Sequence, residues 1–120
     1  MQGRFELINK TYFLSSANNK VVMLLGLFLT DDVARDITFF RKWALGPSPM
    51  GSGGNISDLE KEDGKVVLRY IEILENGAKF VTTIEKFVEM LDAWQMITQA
   101  KPREIVMTIE GEDVRFTRVA

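Results

Sequence analysis

The clearest hydrophobic pattern lies in the second half of the chain. Residues 66–73 are rich in β-branched and aromatic side chains, which predicts a strand. Asn76 and Gly77 predict a tight turn after it, because both residue types tolerate positive φ. Residues 79–81 then predict the returning strand, so this region is expected to form a β-hairpin.

A helix is predicted directly after the hairpin. Thr82 with Glu85 three positions later forms a capping-box pattern at its start. Pro102 predicts that the helix has ended before it. A buried stripe at helical spacing comprises Ile84, Phe87, Leu91 and Trp94, widened by Val88.

The last segment has the period of two that is typical of a strand with one buried face. Ile105, Met107 and Ile109 alternate with Val, Thr and Glu side chains. Residues 111–113 predict a turn, and residues 114–119 predict the final strand. A second hairpin is therefore expected at the end of the chain.

The first half is less regular. Residues 5–8 and 12–14 are short β-rich pieces that predict a first strand or a loose hairpin. Residues 21–29 are apolar on every side, so their periodicity does not distinguish a buried strand from a buried helix. We favour a helix, with Ser15 or Ser16 as its cap.

A second helix is expected to start at residues 30–32, because threonine followed by two aspartates suits the unpaired amides of a helix start. Gly46 and Pro47 predict its end. Apolar residues at helical spacing are Val33, Ile37, Phe40 and Ala44, with Phe39 and Trp43 on an adjoining strip.

These elements predict an α+β fold with a mainly antiparallel sheet of four to six strands and two or three helices packed on one face. The length favours a single domain over residues 1–120. Residues 46–64 are predicted to be a long loop, rich in glycine and proline and then acidic. The glycine-rich part lacks the spacing of a phosphate-binding loop, which favours a surface excursion over a binding loop.

Composition restricts the possible chemistry. The chain has no histidine and no cysteine, which excludes histidine-based acid/base catalysis, thiolate chemistry and the usual zinc sites. No cofactor or metal site is predicted. Its 17 acidic and 15 basic residues lack the basic excess expected for nucleic-acid binding. The apolar run at 21–29 is too short to cross a membrane, and no secretory signal pattern is visible, so a cytoplasmic protein is expected.

Two acidic segments are the candidate partner-binding residues. The first surrounds Lys61 and consists of Asp58, Glu60, Glu62 and Asp63; the second consists of Glu110, Glu112 and Asp113. The first lacks the residue order of a calcium-binding EF-hand loop. Each segment is either a solvated acidic stretch or a patch that docks a basic protein partner.

The C-terminal part of the chain resembles small bacterial immunity proteins of polymorphic toxin and contact-dependent growth inhibition systems. The resemblance covers about 40 residues and rests on residues 80–83, Phe87, Met90-Leu91, Trp94, Lys101-Pro102 and the strand from Ile105. It implies a cytoplasmic, non-enzymatic protein that neutralises a cognate toxin by binding it.

Two other functions remain open from the sequence. One is a small carboxylate-based enzyme or ligand-binding domain that uses the 46–64 loop. The other is a self-associating module in which Phe39 and Trp43 face a second copy of the chain.

Overall fold

The computed structural model describes residues 1–49, 57–70 and 78–119. Three earlier predictions concern residues outside these ranges: the glycine-rich stretch 50–56, the Asn76-Gly77 turn and the end of the strand at 71–73. In chain order the elements are β1 (Gln2–Ile8), β2 (Thr11–Ala17), α1 (Lys20–Leu27), α2 (Ile37–Leu45), β3 (Ser57–Glu62), β4 (Lys65–Tyr70), β5 (Lys79–Thr83), α3 (Ile84–Gln99), β6 (Glu104–Glu110) and β7 (Asp113–Arg118).

The strands form two antiparallel sheets. The first sheet has the order β2-β1-β6-β7 and the second has the order β3-β4-β5. Helices α1 and α3 contact strands of both sheets. The buried apolar side chains of the helices and the two sheets form one cluster. The predicted α+β class with antiparallel pairing is confirmed, with its strands divided between two sheets.

The apolar run at residues 21–29 is helical, as favoured. Its cap was predicted wrongly, because Ser15 and Ser16 belong to β2. Asn19 caps α1 instead, and its side chain accepts a hydrogen bond of 2.9 Å from the Val22 amide. The two serines lie at an irregularity in the β1–β2 register, and Asn19 is the polar residue next to the first helical turn.

Residues 30–32 do not start a helix, contrary to the prediction. They lie in a π-helical segment, Phe28–Val33, that continues from α1. The Thr30 hydroxyl donates to the Gly26 carbonyl of the preceding turn at 3.0 Å, so it does not act as a cap. Helix α2 is capped by Asp36, whose carboxylate accepts from the Phe39 amide at 3.1 Å. The predicted end of this helix before Gly46 is confirmed.

The cap of α3 is displaced by one residue from the prediction. Thr83 accepts a hydrogen bond of 3.1 Å from the Lys86 amide, so Glu85 does not complete a capping box with Thr82. Thr82 is 1% exposed and donates its hydroxyl hydrogen to the Glu112 carbonyl at 2.8 Å. That contact ties β5 to the turn between β6 and β7.

Helix α1 packs unusually closely on the β1–β2 hairpin. A Cβ atom at Gly26 would lie 2.7 Å from the Leu14 side chain, and one at Gly3 would lie 2.5 Å from the Val22 side chain. Contacts this short exclude larger residues unless the neighbours shift. In the described part of the chain, no helix is long and apolar enough to cross a membrane.

Both tryptophans are core residues, as the sequence pattern indicated. Trp94 is 5% exposed, and its ring centroid lies 4.8 Å from that of Phe5 on β1. Trp43 is 8% exposed and meets Phe87 of α3 at 6.1 Å. Trp43 is therefore not accessible on the surface for contact with a second copy of the chain.

Candidate functional site

The first acidic segment is a strand, where the sequence predicted a loop. Residues 57–62 form β3, which pairs with β4 along its whole length, so the predicted loop at 46–64 is wrong for residues 57–62. Successive side chains of a strand point to opposite faces. Ser57 and Leu59, which are 1% and 3% exposed, face the interior, and the carboxylates of Asp58, Glu60 and Glu62 face outward.

This alternation separates Lys61 from the acidic residues around it in sequence. The Lys61 Nζ atom donates to the carbonyl oxygens of Trp43 and Gly46, at 2.7 and 2.6 Å. It also lies 4.9 Å from the centroid of the Trp43 ring. The lysine thus satisfies carbonyl groups at the C-terminal end of α2, where a positive charge is favourable.

The outward face of β3 carries Asp58, Glu60 and Glu62, with Asp63 in the following turn. Arg69 of β4 forms ion pairs with both glutamates, directly with Glu60 and at 3.4 Å with Glu62. Although partial burial acts against it, hydrogen bonding to these carboxylates raises the pKa of Arg69. Asp58 and Asp63 are exposed and form no ion pair within the ranges that the structure describes.

Each carboxylate of the second acidic segment has a cation beside it. Glu110 pairs with Arg115 on β7. Glu112 pairs with Lys65 of β4 at 3.1 Å, and Asp113 pairs with Lys86 of α3 at 2.9 Å. The hydrogen bond to Asp113 raises the pKa of Lys86.

Lys65 joins the two segments into one surface. It lies directly opposite Glu62 in the β3–β4 ladder, so both side chains project from the same face, and its ammonium group contacts Glu112. We call the joined region the acidic surface. It comprises Asp58, Glu60, Glu62, Asp63, Glu110, Glu112 and Asp113 together with the cations Lys65, Arg69, Lys86 and Arg115. Seven carboxylates and four cations give this surface a net charge of −3.

Sequence reasoning missed the four cations of this surface. Three of them follow from strand register: Lys65 and Arg69 face the acidic strand across the β3–β4 ladder, and Arg115 lies two residues beyond the second acidic segment on the same strand. A β-hairpin predicted over residues 57–70, with its turn at residues 63–64, would have found the first two. Lys86 lies on α3, which contacts β7 through tertiary packing. No local sequence pattern indicates that contact.

A shallow cleft borders the acidic surface between α3 and β7. Its volume is about 350 Å³. Met90, Ala93 and Val114 supply apolar lining, and Glu89 lies among the charged lining residues. Among the residues that the structure describes, no group of three or more carboxylates is arranged to hold a metal ion.

The opposite end of the first sheet is basic. The antiparallel order brings the β1–β2 turn, the start of β6 and the end of β7 together, which places Lys10, Lys101, Arg103 and Arg118 at one end. All four are exposed, and within the described ranges none of them has an ion-pair partner. Strand β6 has seven residues, so it separates the two ends by about 20 Å. The molecule is therefore electrostatically polarised along this sheet.

Comparison with known proteins gives no relatives: no family model, no curated protein and no solved structure matches this chain.

Proposed function

We propose that this protein is a non-enzymatic binding domain, an immunity-type inhibitor that neutralises a cognate toxin by docking a basic surface of it. The proposal combines two independent supports. The first is the resemblance of the C-terminal segment to small bacterial immunity proteins, which also implies a cytoplasmic location. The second is the acidic surface.

One observation carries the proposal: strand alternation sorts the charges of β3. Asp58, Glu60 and Glu62 point outward, while the lysine between them is turned toward α2. A loop of the same sequence would display the lysine among the carboxylates. The strand instead presents a line of negative charge about 7 Å from one carboxylate to the next on a rigid, hydrogen-bonded support.

The intramolecular ion pairs make this surface suited to binding. Arg69 and Lys65 hold the glutamates of β3 and the β6–β7 turn in fixed positions. The exposed carboxylates of Asp58 and Asp63 have no ion pair within the described ranges, so they are available to a partner. Complementary charge of this kind speeds association and selects partners more than it adds affinity.

A carboxylate-based enzyme is less well supported by the same residues. Five of the seven carboxylates are engaged by cations of the chain itself, including Glu110 and Asp113, which line the cleft between α3 and β7. General acid/base chemistry needs a carboxylate beside a cleft with a tuned pKa. In the segment on which the enzyme alternative depended, residues 57–62 form a strand.

The test begins with the product of the neighbouring open reading frame, co-expressed with this protein and purified through a tag on one of them. The proposal predicts a stable complex and loss of the toxicity of the partner. Asp58→Lys with Asp63→Lys reverses two charges without breaking an internal ion pair and is expected to slow association by about tenfold or more. Glu6→Lys, at the basic end of the first sheet, is the matched control and should leave association unchanged.

Two results would contradict the proposal. If the complex forms at the same rate with the Asp58→Lys/Asp63→Lys variant as with the wild type, the acidic surface is not the docking site. Turnover of a substrate by the purified protein, abolished by substituting one carboxylate, would replace the binding function by an enzymatic one.

A further inference from the structure

The two sheets have four edge strands, and one of them differs from the rest. Edge strands expose unpaired backbone groups, and proteins commonly protect them with charged side chains. Strands β3, β5 and β7 each carry at least one charged residue. Strand β2, with the sequence TYFLSSA over seven residues, carries no charge and no proline. Nothing in its composition discourages pairing with another strand.

The register of the first hairpin identifies the backbone groups that face outward from β2. The β1–β2 turn has two residues, Asn9 and Lys10, both with positive φ, and Ile8 pairs with Thr11 to close it. Hydrogen-bonded and non-hydrogen-bonded pairs alternate from that closing pair. Thr11 and Phe13 therefore bond to β1, and the amides and carbonyls of Tyr12 and Leu14 point to the free edge. Within the described residues, no other segment pairs with those groups.

Phe13 lies between these two residues on the outer face of the sheet, and it is 50% exposed. Ile8 on β1, diagonal to Phe13 on the same face of the β1–β2 ladder, is also 50% exposed. Large apolar side chains at such exposure, beside an uncharged edge, are typical of a surface that becomes covered.

We propose that two copies of this protein pair through β2, antiparallel and around a two-fold axis at Phe13, to form one continuous eight-stranded sheet. Tyr12 of each copy then exchanges both backbone hydrogen bonds with Leu14 of the other. Phe13 meets its own counterpart in the intervening non-hydrogen-bonded pair, where side chains come closest. Two aromatic rings, each 50% exposed in the single chain, are thereby covered.

A second copy is the occupant that fits this edge best, because the arrangement is self-complementary. The outward-facing residues are spaced symmetrically about Phe13, which a two-fold axis requires. Like charges that face each other across strands oppose pairing, and β2 brings none to its own copy. The same operation at β7 would bring Arg115 and Arg118 close to their counterparts or to each other.

Cysteine crosslinking tests the geometry directly, because the chain has no cysteine of its own. In the proposed dimer, Phe13→Cys places two cysteines in a non-hydrogen-bonded pair with Cα atoms about 4.5 Å apart, which lies within the Cα range of disulfides. The matched control is Thr117→Cys, also exposed, on the outer face of the edge strand β7 and with its backbone groups directed to β6. Mild oxidation should give covalent dimer with Phe13→Cys and little with Thr117→Cys. Equal crosslinking of the two variants, or none with Phe13→Cys, would overturn the proposal.

Sedimentation velocity over a range of protein concentrations gives the second readout. The wild type should shift from monomer toward dimer as concentration rises, with little dependence on salt. Phe13→Glu, which opposes two carboxylates at the axis, should remain monomeric while its circular dichroism stays that of the wild type. A wild type that is monomeric throughout would overturn the proposal. So would Phe13→Cys crosslinking only to a bound toxin, since the occupant would then be a strand of the partner. None of these outcomes depends on the acidic surface, whose binding is salt-sensitive.

Discussion

Replacing Lys61 with methionine tests the separation of charges on β3. Methionine keeps most of the apolar stem and the strand position while it removes the ammonium group. The variant loses the two hydrogen bonds from Nζ to the carbonyl oxygens of Trp43 and Gly46, and the cation above the Trp43 ring. If Lys61 instead lay in a solvated acidic loop, the same change would have little effect.

The expected loss of unfolding free energy is about 2 kcal/mol. Hydrogen bonds to charged groups contribute about 1.5–3 kcal/mol each. Because the site is only partly buried, water can hydrogen-bond to the two carbonyl oxygens in the variant. The expected loss of unfolding free energy is therefore smaller than the sum for two such bonds. An exposed ion pair contributes about 0–1 kcal/mol, which sets the scale for a lysine on the surface.

Urea denaturation followed by tryptophan fluorescence measures this loss, since both tryptophans are buried in the native protein. Lys86→Met is the matched control, because Lys86 also contacts a partner, Asp113, but on the exposed surface. Its loss should be clearly smaller than that of Lys61→Met, because solvent screens an exposed ion pair. A Lys61→Met variant that is no less stable than Lys86→Met would refute the assignment of Lys61 to the interior.

Three further changes probe the core and its pH dependence. Leu91→Ala, at a fully buried position on α3, should lower the unfolding free energy by about 2–5 kcal/mol, and a loss below 1 kcal/mol would show that the buried face is wrong. Gly26→Ala would gain about 1 kcal/mol in helix propensity, but its Cβ atom would lie 2.7 Å from the Leu14 side chain. We therefore expect the variant to be less stable than the wild type in thermal unfolding, and the double variant Gly26→Ala/Leu14→Ala should recover part of that loss. Burial raises the pKa of the Tyr12 phenol above its ordinary value of 10.0. The neutral phenol donates a 2.5 Å hydrogen bond to the Pro102 carbonyl. The stabilisation that depends on the neutral phenol is therefore complete below pH 10.0 and is lost as the pH rises through the raised pKa. Tyr12→Phe should abolish this alkaline loss, and an unchanged pH profile would contradict it.

The second half of the fold was predictable because its patterns are local and mutually consistent. The alternation of Ile105, Met107 and Ile109 defines β6, and all three side chains are at most 1% exposed. The spacing of Phe87 and Leu91 likewise gave the buried face of α3. Each of these elements buries one face, which is the situation in which periodicity is informative.

Other features depend on contacts between distant segments. The capping-box pattern favoured Thr82 over Thr83, but the Thr82 hydroxyl donates to the Glu112 carbonyl instead, and Thr83 caps the helix. The π-helical segment follows from the packing of Phe28 and Leu29, both 0% exposed, which keeps the chain helical past the threonine at 30. Local capping patterns do not contain that information.

The candidate site was predicted in composition and not in arrangement. Both acidic segments were found, but Lys61 was placed among the carboxylates of the first one. Counting charges in a window treated residues 57–63 as a loop and hid their period of two. The contact between Lys65 and Glu112 that joins the segments depends on tertiary structure alone.

The salt dependence of association with the neighbouring gene product tests the central claim most directly. If the acidic surface docks a basic partner, the association rate of the wild type should fall steeply as salt rises, because exposed charges are screened beyond about 8 Å at physiological ionic strength. The Asp58→Lys/Asp63→Lys variant should start from a lower rate at low salt and show a shallower dependence, while Glu6→Lys should follow the wild type. An association rate that is unchanged by salt and equal in all three proteins would contradict the account.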